Sequence, residues 1–160
     1  MRADEALEES VARLLTARGL TISTAESCTG GLLAKRLTDV SGSSLYMDRG
    51  VITYSNRSKQ ELLGVPEKTL IDHGAVSAET AAAMAEGIRR LSGTGIGISI
   101  TGIAGPTGGT PEKPVGLVYI GLATPDGVTV DKYNFPGERA AVRQTTSDAA
   151  LEMIRKYLEG

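Results

Sequence analysis

Three isoleucines alternate with small residues near the middle of the chain: Ile96, Ile98 and Ile100 are separated by Gly97 and Ser99. Branched side chains at every second position are typical of a β-strand, and the small residues indicate that a neighbouring element packs closely on the other face. A strand of this kind lies inside a sheet that is covered on both sides. The segment therefore predicts the central strand of an α/β sheet.

Helical and strand patterns alternate around this strand. In chain order we expect a helix ending at Gly19, a strand over 20–25, a helix carrying Leu32, Leu33 and Leu37, a strand ending at 51–54, a helix capped by Ser77, the central strand, a hairpin of 115–124 and 128–135, and a final helix over 138–158. Helices between the early strands and a late hairpin predict a single α/β domain over residues 1–160. Its layers are α/β/α and its sheet is mixed.

Composition narrows the class of function. The 160 residues carry 17 basic and 19 acidic side chains, so no basic field attracts nucleic acid. No apolar run approaches the roughly 20 residues that cross a bilayer. A single cysteine excludes an internal disulfide and suits a reducing compartment, and with a single histidine it argues against a zinc site. We therefore expect a cytoplasmic protein without nucleic acid, membrane or metal as a partner.

The segment 25–31, Ala-Glu-Ser-Cys-Thr-Gly-Gly, is the first of three that folding alone explains poorly. Two glycines at the start of a helix cost roughly 1 kcal/mol each against alanine, so Gly30 and Gly31 suggest a ligand close to the backbone and to the helix's free amides. Ser27 on this turn would lie beside amides that can stabilise an oxyanion. The alternative is that Ser27 only caps the helix. Cys28 is a second candidate nucleophile, although no cation adjoins it in the sequence.

The second segment runs from Tyr54 to Lys59. If Asn56 caps the following helix, Lys59 is its third residue, where the positive end of the helix disfavours an ammonium. Partial burial would disfavour the charge further, and a neutral lysine could accept a proton from a serine. Tyr54 could relay or orient that transfer. The alternatives are a solvated surface lysine and an edge-strand tyrosine with a hydrated hydroxyl.

The third segment is the glycine-rich loop 101–110, which follows the central strand. Open α/β sheets bind ligands at the carboxyl ends of their strands, and amides of Gly102, Ala104 and Gly105 could hold a phosphate or a carboxamide. The loop matches neither the Walker pattern nor the dinucleotide fingerprint, so a mobile surface loop is the alternative.

Two arginines on the final helix are a weaker signal. Arg139 and Arg143 lie four residues apart and share a face, where they could clamp a phosphate. Paired surface arginines beside Glu138 are the equal alternative.

Taken in order, these segments resemble the CinA C-terminal-domain family from about Ala6 to Leu158. The matching motifs are Thr24-Ala25-Glu26-Ser27-Cys28-Thr29-Gly30-Gly31, Gly50-Val51-Ile52-Thr53-Tyr54-Ser55-Asn56 with Lys59, His73-Gly74-Ala75-Val76-Ser77, Gly102-Ile103-Ala104-Gly105-Pro106 with Lys113-Pro114-Val115-Gly116, and Pro136-Gly137-Glu138-Arg139. Two departures are mild: Glu138 stands where the family usually has aspartate, and Leu117 where it usually has threonine.

The resemblance implies an amidase of pyridine-nucleotide recycling, which hydrolyses nicotinamide mononucleotide to nicotinic acid mononucleotide and ammonia. It implies Ser27 as the nucleophile, Tyr54 and Lys59 as catalytic residues, and a functional Thr101. No cofactor is required. It also implies a homo-oligomer, with a dimer as the default. Many relatives carry an additional N-terminal domain, which is absent from this sequence, so we expect that domain's activity to be absent too.

The predicted mechanism has Lys59, helped by Tyr54, take the proton as Ser27 attacks the carboxamide. Amides around 29–31 would hold the oxyanion, and Thr101, the glycine-rich loop and Arg139 or Arg143 would hold the ribose phosphate. The predicted substrate contacts are Thr29, Gly30, Gly31, Asn56, Thr101, Gly102, Ala104, Gly105, Arg139 and Arg143. The alternatives are a catalytically silent nucleotide-binding module and an amidase for another small carboxamide.

Overall fold

A five-stranded mixed sheet forms the centre of the structure, a computed structural model that describes residues 2–160. The strands are β1 (Ile22–Glu26), β2 (Met47–Ile52), β3 (Ile96–Gly102), β4 (Leu117–Thr124) and β5 (Gly127–Asn134), in the spatial order β2-β1-β3-β4-β5. The first three are parallel, and β4 and β5 continue the sheet as an antiparallel hairpin. The predicted mixed sheet is confirmed.

Helices cover both faces of this sheet. One layer consists of α1 (Leu7–Arg18), α2 (Leu32–Thr38) and α6 (Arg139–Glu159), and the other of α3 (Asn56–Leu63), α4 (Glu67–His73) and α5 (Ala78–Ser92). A short 3-10 helix, Ser43–Leu45, precedes β2. The predicted α/β/α layering is therefore confirmed. None of the helices in residues 2–160 has the length and apolarity to cross a membrane.

The alternation of large and small residues along β3 determines what packs on each face of the sheet. Its three isoleucines are fully buried in the cluster under α1, α2 and α6, where each stabilises the fold by roughly 1.5–3 kcal/mol. On the other face a Cβ added to Gly97 would lie 2.6 Å from the carbonyl oxygen of Ala85. The Ser99 hydroxyl donates a 2.6 Å hydrogen bond to the carbonyl of Ala81. Small residues at these positions therefore let α5 pack directly on the strand.

The start of α3 differs from the sequence prediction by one residue. Ser55, and not Asn56, is the N-cap, because its Oγ accepts the amide hydrogen of Ser58 at 3.0 Å. Asn56 is the first helical residue, and Lys59 is the fourth residue of α3 and not the third. Serine and asparagine cap helices about equally well, so the sequence did not distinguish between them.

The two glycines after Ser27 lie ahead of α2 and not inside its first turn. Gly30 and Gly31 have φ angles of 59° and 102°, in the left-handed region that L side chains rarely adopt. The helix then begins at Leu32. A sharp turn between β1 and α2 therefore requires glycine here, whether or not a ligand approaches.

Candidate active site

A cavity of about 310 Å³ opens at the carboxyl ends of β1 and β3. In the sheet β1 lies between β2 and β3. The chain runs from β1 to β2 on one side and later returns to β3 on the other side, so the strand order reverses at β1. Open α/β sheets bind ligands in such a crevice, and this volume suits a small ligand. The cavity is lined by eight of the residues predicted from the sequence: Ser27, Tyr54, Lys59, Thr101, Gly102, Ala104, Gly105 and Arg139.

Larger cavities exist, so size alone does not mark the site. One of about 570 Å³ lies between the end of α5 and the β4–β5 turn, where Glu86, Arg89 and Arg90 contribute to its wall. Its wall contains no serine, cysteine, lysine or histidine. The smaller cavity is the candidate active site because its wall pairs a hydroxyl with a base.

Lys59 and Ser27 form that pair. The Nζ atom of Lys59 lies 3.1 Å from Ser27 Oγ, and it also donates to the main-chain oxygens of Thr53 at 2.7 Å and Tyr54 at 3.2 Å. A neutral amine has two N–H groups and one lone pair. With both N–H groups bound to carbonyls, the lone pair is left for the serine hydroxyl, which is the arrangement that a general base requires.

The charge on Lys59 is disfavoured by its surroundings. The side chain is 1% exposed, and burial lowers the pKa of Lys59 to about 8 because the ammonium loses its hydration. Within residues 2–160 no carboxylate forms an ion pair with it. Lys59 therefore supplies neutral amine near physiological pH, as an ordinary lysine with a pKa of 10.5 does not.

Cys28 is a weaker candidate for the nucleophile than Ser27. Burial raises the pKa of the Cys28 thiol to about 11, so the thiol stays protonated at neutral pH. The thiolate is the reactive form of cysteine. The structure favours Ser27 because its hydroxyl lies 3.1 Å from the amine of Lys59, whereas within residues 2–160 the Cys28 thiol has no hydrogen bond to that amine.

The carboxylate of Glu26, the last residue of β1, binds amides at the start of α2 that the sequence predicted to be open. Its carboxylate accepts hydrogen bonds from the Thr29 hydroxyl at 2.7 Å, from the amide of Leu33 at 2.8 Å and from the amide of Ala34 at 3.0 Å. Glu26 is 1% exposed. The expectation that the free amides of this helix face a ligand is therefore wrong, since an internal anion already binds them.

Five predicted substrate contacts are absent from the cavity wall: Thr29, Gly30, Gly31, Asn56 and Arg143. The amide of Gly30 donates to the carbonyl of Ser27 at 3.1 Å, which closes the turn. Arg143 Nη2 donates to the carbonyl of Thr29 at 3.0 Å and so binds the turn from the side of α6. Thr29, Gly30, Gly31 and Arg143 therefore shape the turn that carries Ser27, whereas Asn56 begins α3.

Arg139 and Thr101 do lie in the cavity wall. Arg139 Nη1 donates to the carbonyl of Gly105 at 2.9 Å, and its Nη2 donates to the Tyr54 hydroxyl at 3.1 Å. The Thr101 hydroxyl donates to the carbonyl of Ala75 at 2.8 Å and keeps its lone pairs as acceptors. Of the two arginines that the sequence could not separate, only Arg139 reaches the cavity.

The main-chain contribution to the site could not be predicted from the sequence. The carbonyls of Thr53 and Tyr54 fix the amine of Lys59, and no side-chain pattern signals them. The buried carboxylate of Glu26 was also missed, although its place beside Ser27 was visible in the motif. Residues 2–160 hold no group of three or more His, Cys, Asp or Glu side chains arranged for a metal ion.

Fold and site together define an α/β domain with a serine–lysine pair in the crevice at the sheet's carboxyl edge. The model of the CinA C-terminal domain matches residues 4–158, and the chain belongs to that family. It is 55% identical over 157 residues to a putative competence-damage inducible protein of Caldanaerobacter subterraneus subsp. tengcongensis, covering 98% of this chain and 38% of the relative. It is 57% identical over 156 residues to a CinA-like protein of Syntrophus aciditrophicus, covering 97% and 37%.

Solved structures agree with this assignment. A competence/damage inducible protein, CihA, from Agrobacterium tumefaciens matches with a TM-score of 0.91 and 42% identity over 100% of both chains. A CinA superfamily protein from Klebsiella pneumoniae 700603 matches with a TM-score of 0.93 and 37% identity over 96% of both chains. The chain spans less than two-fifths of the length of the curated relatives described above.

Proposed function

We propose that this domain hydrolyses the carboxamide of nicotinamide mononucleotide, giving nicotinic acid mononucleotide and ammonia. The observation that carries the proposal is the 3.1 Å contact between Ser27 Oγ and a buried lysine with no carboxylate partner. Such a pair activates a serine for attack on an amide. The resemblance of the motifs to the CinA C-terminal-domain family supplies the substrate, since the names of the relatives describe no reaction.

In the first half-reaction Lys59 takes the hydroxyl proton as Ser27 Oγ attacks the carboxamide carbon. The carbonyls of Thr53 and Tyr54 keep the amine in place as its charge changes, because an ammonium can donate to both and to the serine oxygen. The tetrahedral intermediate collapses when the C–N bond breaks, and Lys59 returns the proton to the departing ammonia.

In the second half-reaction water releases the acyl group. Lys59, neutral again, takes a proton from the attacking water, and the ester bond to Ser27 breaks as Lys59 protonates Oγ. The sum is one amide and one water converted to one carboxylic acid and one ammonia. No redox change occurs, and the base ends in the state in which it began.

The oxyanion requires donors on the cavity wall, and Thr29, Gly30 and Gly31 do not line it. The glycine-rich loop offers replacements. Ala104 and Gly105 line the cavity, and within residues 2–160 neither amide has a hydrogen-bond acceptor. We assign the oxyanion to this wall of the cavity, in place of the amides around 29–31.

A panel of carboxamides tests the function and the substrate together. We would measure ammonia release, without added metal, from nicotinamide mononucleotide, nicotinamide riboside, nicotinamide and an unrelated small carboxamide. Release fastest from the mononucleotide is the expected result. Fastest release from the unrelated carboxamide would contradict the substrate assignment. No release from any compound, with the nucleotide still bound in calorimetry, would make the domain a catalytically silent binding module.

A further inference from the structure

Tyr54 contacts both ends of the candidate active site through different atoms. Its main-chain oxygen accepts a hydrogen bond from Lys59 at 3.2 Å, and its hydroxyl accepts one from Arg139 at 3.1 Å. Within residues 2–160 the hydroxyl has no hydrogen bond to Ser27 or Lys59. The side chain is 60% exposed, whereas Lys59 is 1% exposed. The hydroxyl thus lies at the open mouth of the cavity and not at the proton-transfer pair.

Arg139 has capacity left for an anion. A guanidinium has five N–H donors, and two of them are bound to Gly105 and Tyr54. Within residues 2–160 Arg139 forms no ion pair, so its charge is not neutralised by a carboxylate. The remaining N–H groups can bind phosphate oxygens in the bidentate geometry that arginine favours.

Two contacts hold this guanidinium across the cavity mouth. Gly105 belongs to the loop after β3, Tyr54 follows β2, and Arg139 begins α6, so three separate segments meet at one side chain. Long arginine side chains lose rotamer entropy when they are fixed. An arginine fixed before the substrate arrives binds it with less of that cost.

We infer that Tyr54 and Arg139 form one phosphate-recognition pair, in which the Tyr54 hydroxyl positions Arg139 and takes no part in proton transfer at Ser27. The inference rests on the proposed amidase function for the identity of its substrate. It makes Tyr54 a positioning residue for substrate selection. The assistance that Tyr54 gives Lys59 comes from the main-chain oxygen of Tyr54, which remains whatever residue occupies position 54.

Phosphate dependence separates this role from a proton relay. We would measure kcat/KM for nicotinamide mononucleotide and for its riboside, which lacks the phosphate, with the parent, Tyr54→Phe, Arg139→Gln and the double variant. Tyr54→Phe should lower kcat/KM for the nucleotide roughly tenfold and leave the riboside within twofold, since a hydrogen bond to a charged group is lost only where the phosphate is bound. Arg139→Gln should abolish the preference for the nucleotide, and adding Tyr54→Phe to it should have no further effect.

Equal losses on both substrates would overturn the inference, because a proton relay serves the amide whether or not a phosphate is present. Tyr133→Phe is the matched control. It removes a tyrosine hydroxyl from β5, outside the cavity wall, and should change neither rate. Thermal unfolding of each variant tests whether it is folded. Because Tyr54 is exposed, removing its hydroxyl oxygen should not disturb the core.

A binding measurement keeps the inference separate from the amidase itself. Calorimetry with ribose 5-phosphate, which carries the phosphate but no amide, should show roughly tenfold weaker binding to Tyr54→Phe than to the parent. Unchanged affinity would contradict the pair. If the parent released no ammonia from either substrate, the amidase proposal would fail. The titration with ribose 5-phosphate would still show whether Tyr54→Phe weakens phosphate binding or leaves it unchanged.

Discussion

The Nζ atom of Lys59 lies 2.7 Å from the main-chain oxygen of Thr53, closer than its 3.1 Å distance to the hydroxyl of Ser27. The backbone after β2 therefore holds the amine more tightly than the nucleophile does. A carbonyl that does not titrate keeps the base in place in both protonation states. The chain has thus placed a buried base at the serine without using a carboxylate to hold it.

Removing the base should remove turnover. Lys59→Met keeps the apolar stem and should lower kcat by roughly 10²–10⁴-fold with a small change in KM, because general-base assistance acts on the chemical step. Steady-state ammonia release measures both constants. Lys59→Arg is the matched control for charge, since arginine stays protonated and should fail equally. Turnover within tenfold of the parent in Lys59→Met would remove lysine from the mechanism.

The activity should follow the titration of Lys59. The pKa of Lys59 is lowered to about 8, and the neutral amine is the active base, so kcat/KM should rise with pH, reach half its maximum near pH 8 and level off above it. A profile between pH 6 and 10, with substrate stability checked in buffer alone, tests this. A profile that is flat, or that falls towards pH 9, would contradict the assignment.

The same group should make stability depend on pH. The folded-state pKa of Lys59 lies below the unfolded value of about 10.5, so between about pH 8 and 10.5 the unfolded chain binds the additional proton. The free energy of unfolding should therefore rise with pH across this window, by up to about 3 kcal/mol, and the burial penalty should be fully present below pH 8. Urea unfolding of the parent and Lys59→Met at three pH values gives the difference between them. No relative gain for the parent by pH 10 would show that Lys59 titrates normally.

Glu26 should hold the turn that carries Ser27. Glu26→Ala leaves the buried amide of Leu33 and the part-buried amide of Ala34 without an acceptor. It should cost roughly 1–3 kcal/mol for the buried amide and less for the other, together with most of the activity. Glu26→Gln retains one oxygen as an acceptor and should lose less stability. Thermal unfolding and ammonia release measure the two effects. Equal stability of Glu26→Ala and the parent would show that this carboxylate does not support the turn.

Cys28 should be dispensable for the reaction. Cys28→Ala removes a protonated, buried thiol and should keep kcat within about threefold of the parent, with a modest loss of stability for a small buried group. Steady-state ammonia release decides the point, with thermal unfolding as the control for folding. A loss of a hundredfold or more in a folded variant would transfer the role of nucleophile from Ser27 to Cys28.

The sequence predicted the parts of the fold that depend on local periodicity. The isoleucines of β3 and the Ser77 cap of α5 were located correctly, because strand alternation and helix capping involve residues only a few positions apart. The predicted bounds of β1 and α6 were also correct to within about two residues, and α2 carries the three leucines predicted for it. The cap of α3 was wrong by one residue, since Ser55 and Asn56 are adjacent and chemically equivalent for that role.

The site was predictable only where side chains carry it. Ser27, Lys59 and the glycine-rich loop were identified because their residue types are unusual for folding alone, and the structure brings them into one cavity. The contact of Glu26 with Leu33 spans a left-handed glycine turn, whose geometry the sequence does not define. The separation of Arg139 from Arg143 depends on how α6 lies on the sheet, which is a tertiary property.

The most direct test of the central claim compares the parent with Ser27→Ala on nicotinamide mononucleotide. Our account predicts that the variant binds the nucleotide in calorimetry with an affinity close to that of the parent, because the phosphate contacts are intact, and that it releases ammonia no faster than buffer. Ammonia release at the parent's rate by Ser27→Ala would contradict the account, since the hydroxyl that attacks the carboxamide is absent from that protein.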